Sequence, residues 1–253
     1  MRLRQVALAS ARLDAVVKAF SDVFGLKVAY SDPNVAVYGL RNAVLPAGDG
    51  FLEIVEPVED DASAARFLKR RGGDAGYMVI LQVADAEAAR ARAVSMGVRV
   101  VDDIDRPDYR AVHFHPADFG GVLVSVDQQR DEPDPLAPLG NWMPAGPDWR
   151  AALTGEVLEL LSVTISTHEP TALARRWSAL LDRPLDPADS LRLPLDRGEV
   201  RFAGAPEATS TCVTGVALRI RDIGAVMQRA RSAGADIDDD GVLIGGVRFR
   251  LRA

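Results

Sequence analysis

One cysteine and three histidines in 253 residues leave little material for several kinds of chemistry. Cys212 alone excludes an internal disulfide framework and a thiolate metal cluster, and it reads as a small buried side chain. No run of 18 apolar residues is present, and the opening Arg2-Leu-Arg-Gln-Val-Ala-Leu-Ala9 has the pattern of a strand rather than of an export signal. The expectation is a cytoplasmic chain without membrane contact. Basic residues are in deficit, 30 Lys and Arg against 36 Asp and Glu, for a formal charge of -6. With the arginines scattered, this argues against a nucleic-acid partner, because phosphate binding draws its strength from clustered cations. The local group from Arg66 to Arg71 reads as a solvated helix end favourable to the dipole, with an anion site as the alternative. A Gly-x-Gly-x-x-Gly turn, a Walker sequence and a Gly-x-Ser-x-Gly elbow are also missing.

What is present is a repeat. An apolar strand at 3–9 is followed by a helix at 14–24 with Val16, Val17, Phe20, Val23 and Phe24 on one side, capped by Ser10 or Asp14 and stopped by Gly25. Strands are expected at 27–30, 35–40 and 51–55, then a connecting helix at 63–71. The order recurs with a strand at 77–83, a helix at 86–96 and strands at 99–101, 109–114 and 122–126. Gly25 and Gly97 are separated by the same interval as Glu53 and Ser125. The second half copies the plan with shorter strands. Four copies of one small unit, each needing a partner to bury its apolar face, make an α+β fold of four βαβββ modules. The divisions expected are 1–130, a proline-rich linker at 131–155 and a supporting domain at 156–253. Trp142 and Trp149 either pin the linker or form a pocket wall.

If the sheet of each pair curls around a groove, strand alternation turns Gln5, Glu53, Met78 and Ser125 toward it. These positions and their surroundings resemble the vicinal oxygen chelate superfamily, which includes glyoxalases, methylmalonyl-CoA epimerases, extradiol dioxygenases and bleomycin-resistance proteins. The resemblance rests on Leu3-Arg-Gln-Val-Ala-Leu8, Phe24-Gly-Leu-Lys-Val28, Phe51-Leu-Glu-Ile-Val-Glu-Pro57 and Phe114-His-Pro-Ala-Asp-Phe-Gly-Gly-Val-Leu-Val-Ser-Val126. The last is similar to the closing segment of the epimerases. It implies two glyoxalase-like domains, each with a curled mixed sheet around a groove. It also implies a divalent metal held by histidines and carboxylates, but Gln5, Met78 and Ser125 stand at three of those positions and only Glu53 is a donor of the expected kind. No metal and no cofactor are therefore expected. In the second half the corresponding residues are read as Ser162, Glu199, Gly215 and Arg250.

The remaining chemistry falls to Glu53 with His113 and His115, which share a strand face before Pro116 and exchange protons near neutral pH. His115 could equally hold the Pro116 turn. Gln5, Asn42, Tyr77, Met78 and Ser125 are the candidate ligand contacts. The first reading is a metal-independent acid/base isomerase or lyase acting on a small molecule. The alternatives are a small-molecule sequestering protein resembling the bleomycin-resistance members, and a metal-dependent enzyme with an atypical ligand set. The chain is expected as a monomer or homodimer.

Overall fold

A computed structural model describes residues 1–206, 211–239 and 241–253. The first half runs β1 (Arg2–Ala9), α1 (Leu13–Phe24), β2 (Leu40–Ala47), β3 (Gly50–Pro57), α2 (Ser63–Arg71), β4 (Ala75–Gln82), α3 (Ala86–Ser95), β5 (Val100–Asp105), β6 (Tyr109–Phe114) and β7 (Leu123–Gln129). The second runs β8 (Val157–Thr167), α4 (Pro170–Leu181), β9 (Arg192–Pro194), β10 (Glu199–Gly204), β11 (Cys212–Ile220), α5 (Ile223–Ser232), β12 (Asp236–Ile237), β13 (Gly241–Ile244) and β14 (Val247–Arg252).

Strand neighbours make the repeat explicit. The first half is ordered β2-β3-β1-β4-β7-β6-β5. The second is ordered β9-β10-β8-β11-β14-β13-β12, the same sequence of roles. Both mix parallel and antiparallel pairs. They join where Val213 of β11 pairs with Gly76 of β4. A Cβ on Gly76 would lie 2.4 Å from the Val213 Cβ, so only glycine permits this approach. The first-half sheet curls far enough for its edges to meet, and the Tyr38 hydroxyl, just before β2, donates to Asp102 of β5.

Of the described α-helices, all except α2 pack away from the groove, on the convex side. Leu13, Val16, Phe20, Val23 and Phe24 form the buried stripe of α1, which ends at Gly25 in the left-handed region. Phe20 meets Phe249 of β14 edge-on at 5.0 Å, and Phe119 meets Trp177 of α4 at 5.2 Å, so aromatic contacts lock the halves together on both flanks. The helix start is capped differently from the expectation. Neither Ser10 nor Asp14 caps it; the Leu13 N–H donates to the Glu56 carboxylate of β3 at 3.0 Å.

The first-half strands also differ in one place. Residues 27–30 carry only a bridge from Tyr30 to Val44, and Pro33–Tyr38 is a 3-10 helix rather than a strand. Asp32 accepts from the Asn34 N–H, and Pro33 has its φ set for a helical start, so the segment winds until Gly39 releases it. The extended partner of β3 is therefore β2, which runs through Asn42 and Pro46. No helix among the described residues is long and apolar enough to cross a membrane.

Candidate functional site

The curl of the first half encloses a cavity of about 770 Å³. Its axis can be followed along β3, where Phe51, Glu53 and Val55 face inward at steps of two residues, ~7 Å each. At the Phe51 end the groove is closed by the stretch after β7. Trp142 and Trp149 are buried there, stacked on and set edge-on against Phe51. The Arg4 guanidinium lies over the Phe51 ring at 4.9 Å and donates to the carbonyls of Pro138 and Gly140. These tryptophans fasten the connecting stretch to the sheet, and the residues of that stretch that line the cavity are Met143 and Pro144. At the Val55 end, α2 covers the opening with Phe67 against Tyr77.

Glu53 sits midway, only 7% exposed. Gln5 Nε2–H donates to one carboxylate oxygen at 2.8 Å and Asn42 Nδ2–H to the other at 2.7 Å. Each amide is itself oriented: Trp142 Nε1–H donates to Gln5 Oε1 at 2.7 Å, and Asn42 Oδ1 accepts from the Asp32 N–H at 2.8 Å. Burial pushes the Glu53 carboxyl above the usual carboxylate range, while the two amide bonds pull it back. Among the described residues no cation forms an ion pair with it. Each amide retains a second N–H with which a ligand oxygen could be held.

A second buried acid was missed by the sequence reading. Asp127 lines the same cavity, is 1% exposed, and accepts from both the Tyr109 and Ser125 hydroxyls. Burial raises its carboxyl to about 7, and the charge of Glu53 adds to the rise. The signal was available in alternation along β7, since Asp127 lies two residues beyond Ser125 and hence on the same face. Ser125 itself does not line the cavity; it is fully buried beneath it, bonded to Asp127 and to the Val112 carbonyl.

Gln5, Asn42, Glu53, Tyr77, Met78, His113 and His115 all line the cavity. His113 is kept toward the neutral form by burial, opposed by nearby Asp102. His115 Nδ1 accepts from the Ala117 N–H at 3.2 Å, which holds the turn after Pro116 and leaves Nε2 as the protonated nitrogen. It thus serves the turn and the cavity rim together. Tyr109 and Met143 add wall that the sequence reading did not include.

The donor set does not fit a divalent metal. Gln5 has its oxygen taken by Trp142, Met78 offers a thioether suited to soft metals, and the Ser125 hydroxyl is committed to Asp127. Among the described residues no group of three or more His, Cys, Asp and Glu side chains is placed to hold a metal ion.

The second half lacks this arrangement. Val79 pairs with Val6 as Val216 pairs with Val163, which makes Ser162 the counterpart of Gln5. Ser162 pairs with Glu199 as Gln5 pairs with Phe51, so Arg201, not Glu199, occupies the place of Glu53. Arg201 is tied to Glu199, which also binds Arg192, which in turn reaches Asp186.

Comparison with known proteins agrees with this architecture. The profile described as "Glyoxalase-like domain" matches residues 6–181. The mitochondrial methylmalonyl-CoA epimerase of Bos taurus is 25% identical over 130 residues, covering 50% of this chain and 74% of that protein. A solved methylmalonyl-CoA epimerase from Mycobacterium tuberculosis is 28% identical, covering 50% of this chain and 86% of that one, with a TM-score of 0.45. The Mn(II)-bound glyoxalase from Novosphingobium aromaticivorans covers 99% of this chain and 81% of its own with a TM-score of 0.64. At 16% identity that likeness speaks for the fold alone. A profile match over more than half of its length makes this chain a member of the glyoxalase-like domain family, related in sequence to the methylmalonyl-CoA epimerases and without clustered metal ligands among the described residues.

Proposed function

We propose that this chain is a small-molecule enzyme that moves a proton on its ligand without a metal, by isomerase or lyase chemistry in the first-half cavity. The observation that carries the reading is the pair of buried carboxyls, Glu53 and Asp127, lining one largely apolar cavity and both raised above the usual range. A raised carboxylate is a stronger base, and a carboxyl near 7 can donate as readily as it accepts at neutral pH. Glu53 would take a proton from a carbon next to a carbonyl. The spare N–H groups of Gln5 and Asn42 would hold the carbonyl oxygen as charge develops on it. Asp127, in its bond to Tyr109, would return the proton, with His113 and His115, which also line the cavity, as further ligand contacts. Tyr77 and Met78 would pack against the ligand.

The relatives matched above are named for epimerising methylmalonyl-CoA, which makes that compound the first to try. Incubation with methylmalonyl-CoA in D2O, read by mass spectrometry, should show deuterium entering at the carbon between the two carbonyls, and Glu53→Gln should slow it by orders of magnitude, ~10²–10⁴-fold. A ligand recovered from metabolite extract by native mass spectrometry extends the assay if this one is not accepted. Tight binding of such a ligand with no exchange would overturn turnover. It would favour a sequestering protein, a reading supported by the way both Glu53 oxygens already accept amide bonds.

We also infer that the halves are two paired-module domains at 1–130 and 156–253, with 131–155 joining them. The matching strand orders support this, and chemistry is assigned to the first alone.

A further inference from the structure

Two cations at the cavity mouth have no role in the proton-transfer scheme. Arg66 and Arg70 lie one turn apart on α2, and both line the cavity. Neither forms an ion pair among the described residues, whereas Arg99, Arg110, Arg183 and Arg192 each grip a carboxylate. Arg66 is steadied by the Ser63 hydroxyl at 3.0 Å and by the Asp61 carbonyl, contacts that leave its charge unneutralised. Between the arginines, buried Phe67 packs on Tyr77, whose own position in the cavity wall brings its hydroxyl into their field. The acidic groups lining the mouth elsewhere are engaged. Asp32 accepts from the Asn34 backbone and side chain, and Asp102 from Tyr38 and the Asp103 N–H. The mouth therefore has an unsatisfied positive side and a satisfied negative one.

We propose that the ligand carries an anionic group, a carboxylate or a phosphate, which Arg66 and Arg70 hold at the α2 end while its carbon skeleton extends past Val55 toward Glu53. Guanidinium groups bind either oxyanion through charge-assisted, often paired hydrogen bonds, and the apolar wall takes the rest. The assignment rests on the cavity being a small-molecule site and is independent of whether a proton moves there.

Three probes with one tail and different heads test it: octyl phosphate, octanoate and octanamide, measured by calorimetry against the full chain. The anionic pair should bind roughly tenfold more tightly than the amide, and more weakly at high salt. The better of the two anions identifies the head group. Arg66→Gln with Arg70→Gln should erase the preference while leaving octanamide binding unchanged, and both positions are exposed, so the melting temperature should stay the same. Equal affinity for all three probes, or a preference that survives the double substitution, would overturn the anion site alone. Binding of none of them would overturn the site and the small-molecule reading together. Glu53→Gln should leave the head-group preference intact, which keeps a failure of the proton-transfer chemistry distinguishable.

Discussion

The two halves share a strand order and differ in what they place at one inward position. In the first half Glu53 is held by neutral amides beside a large cavity; in the second Arg201 stands there, tied into a chain of ion pairs with Glu199, Arg192 and Asp186. A carboxylate held by neutral amides has its proton affinity set by burial and can react to a ligand. A cation paired with its neighbours is already satisfied. The same frame thus places an amide-held carboxylate in one half and an ion-paired cation in the other.

The widest separation should be seen in turnover. Glu53→Gln should lower deuterium exchange into an accepted substrate by ~10²–10⁴-fold, and Arg201→Gln should leave it unchanged. Comparable losses from both would end the division of labour.

Stability should divide the halves next. Arg4→Met removes the Arg4 bonds to the carbonyls of Pro138 and Gly140, while the Asp49 carbonyl keeps Arg2 as a donor, and it should cost ~2–3 kcal/mol in urea unfolding. Its counterpart by register is Leu161, and Leu161→Met, which conserves volume, should cost less than ~1.5 kcal/mol.

Asp127 of the first half and Asp186 of the second should respond to pH in opposite directions. Folded Asp127 titrates at about 7, well above the ~3.9 of an unfolded aspartate. Its contribution to stability is complete below the unfolded value and is lost as pH rises to about 7, at no more than ~1.4 kcal/mol per pH unit. Glu53 acts in the same direction. Asp186 is lowered by the Ala188 N–H and by Arg192, so its contribution is present at neutral pH and lost on acidification. Asp127→Asn should flatten the limb between about pH 4 and 7 without changing the acid limb, as read from melting temperatures across that range.

The smallest effect is expected at the rim. Tyr38→Phe removes the bond to Asp102 that joins the sheet edges, and it should change ligand dissociation by only a few fold, ~0.5–1 kcal/mol, in stopped-flow measurements.

Periodicity made most of this fold legible. The α1 stripe, the alternation around Glu53 and the repeated strand-helix order all follow from side-chain spacing alone. Pro33–Tyr38 was misread because two valines and a tyrosine resemble a strand, whereas Asp32 and Pro33 settle the local winding. Glu199 was aligned with Glu53 by counting residues, but hydrogen-bonded register decides the match, and it selects Arg201. In the site, Gln5 and Glu53 could be brought together by strand phase. Asp127 lies beyond the family position, Ser125, and only strand alternation along β7 marks it. The role of Trp142 depends on a chain reversal that brings it back over β1, and local sequence carries no trace of that.

That reversal gives the protein an optical property. The indole of Trp142 donates to Gln5, whose amide donates to Glu53, so the charge on the carboxylate is two hydrogen bonds from a fluorophore. Protonation of Glu53, or a ligand that turns the Gln5 amide, changes the electric field along that indole. The chain therefore contains an intrinsic emission probe of its own site, with Trp149 and Trp177, which lack this connection, as internal background.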